Sequence, residues 1–326
     1  MKKYLHFVVL ALVLLAVIAF VSCTKGSERG EKTKLSVVCT VFPPYDWTRE
    51  IIKGCEDRIE LTILNTAGTD LHSYQPSAND IRKINESDLF IFVGGESDEW
   101  ARSAAESTGK TKDQIIILIE ELGNRALKEE HVEGMEEHEH EEEEEEEEEL
   151  DEHVWLSLRN ASFLTSVISQ RLSEKDPENR EKYLSNAENY RKELNELDNK
   201  YVKTVEDSKS GVLIFGDRFP FRYLVNDYSL KYYAAFSGCS AETEASFKTI
   251  IFLASKVNEY GCSCVLTLEH SDPKIAKTII ENTQTADQKI LVLNSLQSVT
   301  GEDIKQGLTY TGVMTENLDV IKEALN

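Results

Sequence analysis

The 326-residue chain lacks the signatures by which a sequence most directly announces chemistry. It has no GxSxG turn to expose a nucleophilic serine, no HExxH helix to hold a hydrolytic metal and no GxxxxGK loop to cradle phosphates. Serine, histidine and aspartate fall at no spacing that singles out a triad. These absences argue against an enzyme. Lysine and arginine are outnumbered by aspartate and glutamate, 36 to 59, and form no basic face of the kind a phosphate backbone demands, which argues against nucleic acid as a partner. Cysteine is sparse too. The closest pair, Cys262 and Cys264, is spaced CxC without a second pair at zinc-finger distance, so no structural zinc knuckle is expected there.

What is present begins with a hydrophobic fraction of 40%, enough for a sizeable core in one large or two ordinary domains. The net charge of −23 is concentrated in one place. Lys128 to Glu152 holds fifteen glutamates up to Glu149, then Asp151 and Glu152, against one lysine, a net −16; about −7 is left for the rest of the chain. Nine consecutive glutamates, Glu141 to Glu149, repel one another too strongly to pack, so residues 128–150 read as a disordered surface insertion. At the N-terminus Lys2 and Lys3 precede the apolar run Phe7 to Val21, too short and wrongly flanked for a membrane span, which reads as a secretory signal. It ends in Phe20-Val21-Ser22-Cys23, similar to a bacterial lipoprotein processing site. Residues 1–22 are then the signal peptide, Cys23 the lipidated first residue of the mature chain and 23–34 a polar tether. In such an oxidising compartment an even subset of Cys39, Cys55, Cys239, Cys262 and Cys264 is open to pairing.

From Leu35 onward βα units alternate. Strands are expected at Leu35–Val41, Ile59–Leu64, Leu89–Val93 and Ile115–Ile119, the third a continuous apolar run closed by Gly94-Gly95, as a parallel strand buried on both faces requires. Phe42-Pro43-Pro44-Tyr45 is expected to break the chain before a helix from Asp46. After the insertion, helical signal covers Ala161–Leu172 and then a stretch from Glu178 to Ser210 without glycine or proline. There Tyr183, Ala187, Tyr190, Leu194, Leu197 and Tyr201 recur at steps of three and four, one face of a single long helix of about 45 Å. Beyond Gly211 the alternation resumes, with strands at Val212–Phe215, Tyr232–Phe236, Val265–Leu268 and Ile290–Leu293. The expected fold is α/β: an N-terminal lobe (35–172), a connecting helix (173–210) and a similar C-terminal lobe (211–326), each lobe a mainly parallel sheet wrapped by helices. Clefts at the carboxyl ends of such strands bind ligands.

Of seven histidines, His6 lies in the signal and His131, His138 and His140 in the acidic run. His72, His153 and His270 remain in the folded body, each in a loop or at an element boundary. His72 stands in Gly68-Thr69-Asp70-Leu71-His72-Ser73-Tyr74-Gln75-Pro76, and His153 in Asp151-Glu152-His153-Val154-Trp155-Leu156. Together with Phe42 to Tyr45, Asp80-Ile81, Asp88-Leu89, Val93-Gly94, Trp100, Phe215 to Phe219, Tyr223, Glu242 to Glu244, Tyr310, Met314 and Asn317-Leu318, these segments resemble the zinc/manganese-binding solute-receptor lipoproteins of bacterial ABC importers, in order and in spacing across the mature chain.

The resemblance implies two lobes, a rigid connecting helix and a divalent metal held in the interlobe cleft by four side chains, two from each lobe. His72 and His153 occupy the places of the first two ligands, and Asp151 or Glu152 would fix an imidazole tautomer. The C-terminal lobe departs from the pattern: Gly216 stands where a third histidine precedes Asp-x-Phe, and Asn294-Ser295-Leu296-Gln297 where an acidic ligand is usual. Asp217, then Glu244, then Glu269-His270 are the candidates to complete the site. Bland alternatives are helix N-terminal acids for Asp217 and Glu244, and Arg218 as the neutralising partner of Asp217. Imidazoles favour Zn²⁺, with Mn²⁺, or iron, as the alternative within the family. The implied partners are an ABC permease with its ATPase and the membrane, through the lipid on Cys23; the receptor is expected to be a monomer outside the cytoplasmic membrane. The acidic run reads either as a zinc-gathering arm or as a solvated linker. A surface adhesin or metal-storage lipoprotein, with the run itself holding the metal, is the rival from another class.

Overall fold

In the computed structural model, which describes residues 34–135, 149–240 and 244–326, the strands form two separate four-stranded sheets of one design. Strands β1 (Leu35–Cys39), β2 (Ile59–Ile63), β3 (Leu89–Phe92) and β4 (Ile115–Ile117) lie in the order β2-β1-β3-β4. Strands β5 (Val212–Phe219), β6 (Lys231–Ser237), β7 (Cys264–Leu268) and β8 (Lys289–Leu293) repeat that order as β6-β5-β7-β8. Every pairing is parallel. The interior strands explain the apolar runs: all four residues of β3 and all five of β7 are buried, because helices cover both faces. In each sheet the chain reverses its winding beside the first strand, which opens a crevice at the carboxyl ends of the strands. The signal peptide, Cys23, the tether up to residue 33 and residues 136–148 of the acidic run lie outside the described residues.

Helices α1 (Phe42–Ile51), α2 (Ala78–Glu86), α3 (Glu99–Ser107), α4 (Leu118–Leu122) and α5 (Leu158–Lys175) accompany the first sheet. After the long α6 (Arg180–Glu206) come α7 (Arg222–Tyr228), α8 (Phe247–Tyr260), α9 (Lys274–Glu281), α10 (Gly301–Lys305) and α11 (Tyr310–Ala324). The buried face of α6 consists of Tyr183, Ala187, Tyr190, Leu194, Leu197 and Tyr201, the residues whose spacing predicts it. Its 27 residues span about 40 Å at 1.5 Å per residue. Near one end Asn186 donates to the Ile51 carbonyl (2.9 Å), and near the other the Tyr201 hydroxyl donates to the Met314 carbonyl (2.5 Å). One apolar core runs without interruption from Val37 in the first sheet, through the α6 face, to Phe215 and Leu266 in the second. A strut packed against both lobes through a shared core permits small adjustments and resists a wide hinge.

The structure departs from expectation in several places. Phe42 to Tyr45 does not precede the first helix but begins it, because prolines in a first turn give up N–H groups that have no helical partner anyway. The fourth strand stops at Ile117, and Leu118 and Ile119 turn into α4. The last helix, which the sequence pattern places at Thr315–Leu325, already starts at Tyr310, where the Thr309 hydroxyl accepts from the Gly312 N–H at 3.0 Å. All five described cysteines are free thiols. Lys128 to Met135, assigned by charge to the solvated insertion, packs: Met135 is 4% exposed within the core, and Gly134 lies so close to the Phe252 ring that a Cβ would overlap it. Val132 and Met135 supply the apolar surface that the glutamates beside them lack.

Candidate metal centre

His72 sits in a single 3₁₀ turn, Leu71–Ser73, that the fold holds at both sides. The Asp70 carboxylate accepts the His72 N–H at 3.0 Å, and Leu71 is buried in the core. His153 is held more tightly. Its own N–H donates to Asp151 at 2.8 Å, and the apolar Val154-Trp155-Leu156 that follows is fully buried. Trp155 crosses to the other lobe, its indole N–H donating to the Ser295 carbonyl at 2.8 Å, while the Tyr310 hydroxyl donates to the Trp155 carbonyl at 2.5 Å. The Tyr223 hydroxyl donates to the Asp151 carbonyl and accepts from the Leu127 N–H, so both flanks of the acidic run are tied to the site. The run closes on itself through a bridge between Lys128 and Leu150.

These constraints bring the Nε2 atoms of His72 and His153 to 3.3 Å from one another. Two nitrogens on a tetrahedral Zn²⁺, each about 2.0–2.1 Å from the ion, lie roughly 3.4 Å apart. Behind each ring stands an acid. Asp151 Oδ1 is 3.1 Å from His153 Nδ1. Glu152 Oε2 is 3.7 Å from His72 Nδ1, with the Ser97 hydroxyl closer. Glu152 Oε1 accepts the Ser97 N–H at 2.7 Å, whereas its Oε2 is buried without a hydrogen-bond partner. Gly95, at φ +89°, leaves the space: a Cβ there would stand 2.5 Å from Glu152 Oε1. Carboxylates behind Nδ1 favour a proton on that nitrogen and leave the Nε2 lone pair for a cation. Burial, then the charge of His153, pushes His72 down to about 4, so its imidazole is neutral. Burial opposes a charge on His153 as well, but Asp151, Glu152 and Asp70 outweigh it and hold this histidine above its ordinary value.

The far side of the cleft is built differently. Asp217 is buried, and its oxygens accept the backbone N–H groups of Arg218 (2.8 Å) and Leu268 (3.0 Å). Arg218 does not neutralise it but reaches across the cleft to Asp70 at 2.7 Å. Burial alone would raise Asp70; the charge of Arg218, helped by the His72 N–H hydrogen bond, brings it below the usual carboxylate range. Glu244 is exposed, two residues before the capping Ser246 of α8. Glu269 spends both oxygens on Ser295, and His270 is exposed. Gln297, oriented so that its amide finds partners, donates to both Asp70 oxygens at 3.1 Å, and its amide oxygen stands 3.1 Å from His153 Nε2.

Among the described residues, the group of histidine, cysteine and carboxylate ligand atoms drawn together is a ring nitrogen of His72, one of His153 and Cys239 Sγ, all within 4.8 Å of one another. Cys239 stands two residues beyond the end of β6, after Gly238, and burial together with Glu129, Glu152, Asp151 and Glu149 holds its thiol well above the ordinary value. Sequence reasoning passed over this residue, although Ser237-Gly238-Cys239-Ser240 after an apolar strand has the composition of a ligand-bearing loop.

The model of the family described as zinc-uptake complex component A, periplasmic, matches residues 37–324. The high-affinity zinc uptake system protein ZnuA of Bacillus subtilis (strain 168) is 31% identical over 320 residues, covering 98% of this chain and 96% of its own. Zinc-binding protein AdcA of Streptococcus pyogenes serotype M3 is 29% identical over 305 residues, 92% of this chain but only 58% of that relative's length. Among solved structures, the Zn(II)-bound ZnuA-like domain of Streptococcus pneumoniae AdcA matches with a TM-score of 0.69 at 29% identity, over 90% of this chain and 99% of the domain. The metal-dependent lipoprotein YcdH of Bacillus subtilis matches at 0.71 and 27% identity, over 90% and 99%. With two parallel sheets of one design, a strut through a common core and paired imidazoles in the cleft, the chain belongs to the family of the periplasmic zinc-uptake complex component A.

Proposed function

We propose that this chain is the extracytoplasmic receptor of a metal ABC importer, binding Zn²⁺ between its lobes and delivering it to a permease driven by a separate ATPase. The observation that carries this reading is the pair of Nε2 atoms 3.3 Å apart, each imidazole backed by a carboxylate. Two imidazole nitrogens suit Zn²⁺ better than Mn²⁺, which prefers more oxygen ligands. Two of the matches at comparable length, ZnuA of Bacillus subtilis and the ZnuA-like domain of Streptococcus pneumoniae AdcA, carry zinc in their names. Lipidation at Cys23 would keep the receptor beside its permease, and residues 136–148, with His138 and His140 among glutamates, would gather the ion from dilute solution.

Calorimetric titration with Zn²⁺ tests the reading. The chain takes up one ion tightly, and His72→Ala and His153→Ala each abolish that tight site; equal affinity in both variants and the parent would end the proposal. Deleting residues 136–148 keeps the tight site and removes only weak, multiple binding. If the deletion removes nearly all binding instead, the chain stores metal in the acidic run.

A further inference from the structure

The third histidine that the resemblance places at position 216 is not merely absent; the fold has no room for it. A Cβ on Gly216 would stand 2.6 Å from Ala276 Cα and 2.8 Å from Ala276 N. Those are backbone atoms of α9, which no rotamer change moves aside, so β5 offers the cleft no side chain at that point. The next residue, Asp217, has both oxygens engaged by backbone N–H groups. The end of β5 therefore supplies no ligand.

One strand over, the loop after β6 does reach the cleft. Gly238 lies under the His153 ring, where a Cβ would meet His153 Cε1 at 3.0 Å and the Phe219 carbonyl at 2.9 Å. The bare backbone at this position lets the loop run directly beneath the ring, and the residue that follows is Cys239. Its N–H donates to Glu129 at 3.3 Å, which fixes the loop against the base of the acidic run. Its Sγ lies within 4.8 Å of a ring nitrogen of each histidine. In tetrahedral Zn²⁺ a sulfur and a nitrogen ligand lie roughly 3.6 Å apart, a difference that about an ångström of lobe approach removes.

We propose that Cys239 Sγ is the third protein ligand of the captured ion, the ligand having moved from the end of β5 to the end of β6 because α9 closes over Gly216. This rests on the receptor reading above. Two imidazoles and one thiolate leave a fourth position open, beside Asp70 and Gln297. A thiolate also sharpens selectivity, because sulfur favours Zn²⁺ strongly over Mn²⁺. On binding, the S–H bond breaks, the Zn–S bond forms and the proton passes to solvent.

The test is metal substitution on the full chain. Loaded with Co²⁺, the parent protein shows a sulfur-to-cobalt charge-transfer band in the near ultraviolet. Cys239→Ser loses that band and binds Zn²⁺ at least about a hundredfold more weakly. Cys239→His, which restores a ligand of the other type, binds Zn²⁺ tightly and also lacks the band. A parent complex without the band, or Cys239→Ser with unchanged Zn²⁺ affinity, overturns the assignment of Cys239 while His72→Ala still reports on the receptor. A parent chain that takes up neither ion overturns both.

Discussion

The N-terminal lobe presents to the cleft two imidazoles, each with an acid behind its Nδ1, whereas the C-terminal lobe, whose strands run in the same order, presents a cysteine, an arginine and an amide. Both sets stand where a doubly wound sheet places ligands, beyond the carboxyl ends of its strands. The difference teaches that the scaffold fixes where ligands can stand and local packing fixes which loop supplies them. In the first lobe Gly95 makes room for a carboxylate that supports His72. In the second, Gly216 gives way to the backbone of α9, and a side chain from the neighbouring strand end takes over.

The sharpest way to break the comparison is to remove one group from each lobe. His153→Ala should weaken Zn²⁺ by more than about a hundredfold, since a four-ligand site worth roughly 10–16 kcal/mol assigns about 3 kcal/mol to each ligand. Asp217→Asn should leave affinity within roughly threefold, because both its oxygens bond backbone N–H groups and it is not among the ligand atoms grouped with the two imidazoles. An Asp217→Asn protein that loses zinc as His153→Ala does would restore Asp217 as a ligand. Next in size is Gly216→Ala, which should cost roughly 2–3 kcal/mol in denaturant unfolding, because the new methyl meets backbone atoms at 2.6 Å. A neutral result would mean that α9 is free to retreat.

The strand cores and the strut were legible because burial repeats with period: β3 is four apolar residues in a row, and the α6 face recurs at three and four. His72 and His153 were legible through the motifs around them, Gly68 to Pro76 and Asp151 to Leu156, which carry the family resemblance; that Leu71 and Val154-Trp155 beside them are buried is what the structure adds. The C-terminal side was not. A missing histidine at 216 shows in the sequence, but the backbone that displaced it comes from sixty residues further on. Arg218 and Asp70 are 148 residues apart, and no local pattern pairs them. Helix α3 escaped notice because its buried positions are Ala101, Ala104 and Ala105, which carry little hydrophobic contrast.

A smaller effect sharpens the first half of the comparison. Glu152→Gln keeps an acceptor for the Ser97 N–H but removes the charge behind His72, and should weaken Zn²⁺ by about tenfold, the lower end of what outer carboxylates contribute. No loss would mean that the Ser97 hydroxyl alone orients the ring.

The last effect concerns the floor of the same lobe. Asp98 is wholly buried and accepts the Val93 and Gly94 N–H groups at 2.7 and 3.4 Å, holding the turn beyond β3. Burial, partly offset by the Val93 hydrogen bond and reinforced by Glu152, raises its carboxyl to about 7, against about 3.9 in an unfolded chain. The sign follows from linkage. A raised acid binds its proton more tightly in the folded state, so its contribution to stability is fully present below about pH 4 and is lost as pH rises toward 7. Asp98→Asn keeps an acceptor for Val93 and has no proton to lose. Its stability should therefore fall less than the parent's between pH 5 and pH 8, a difference of roughly 2–4 °C in Tm for each kcal/mol removed from the pH slope. Thermal unfolding of both proteins at the two pH values, with a chelator present to keep metal out of the comparison, measures it. Parallel slopes would place the pH sensitivity on another buried acid, with Glu269 in the C-terminal lobe, also raised by burial, as the next to substitute.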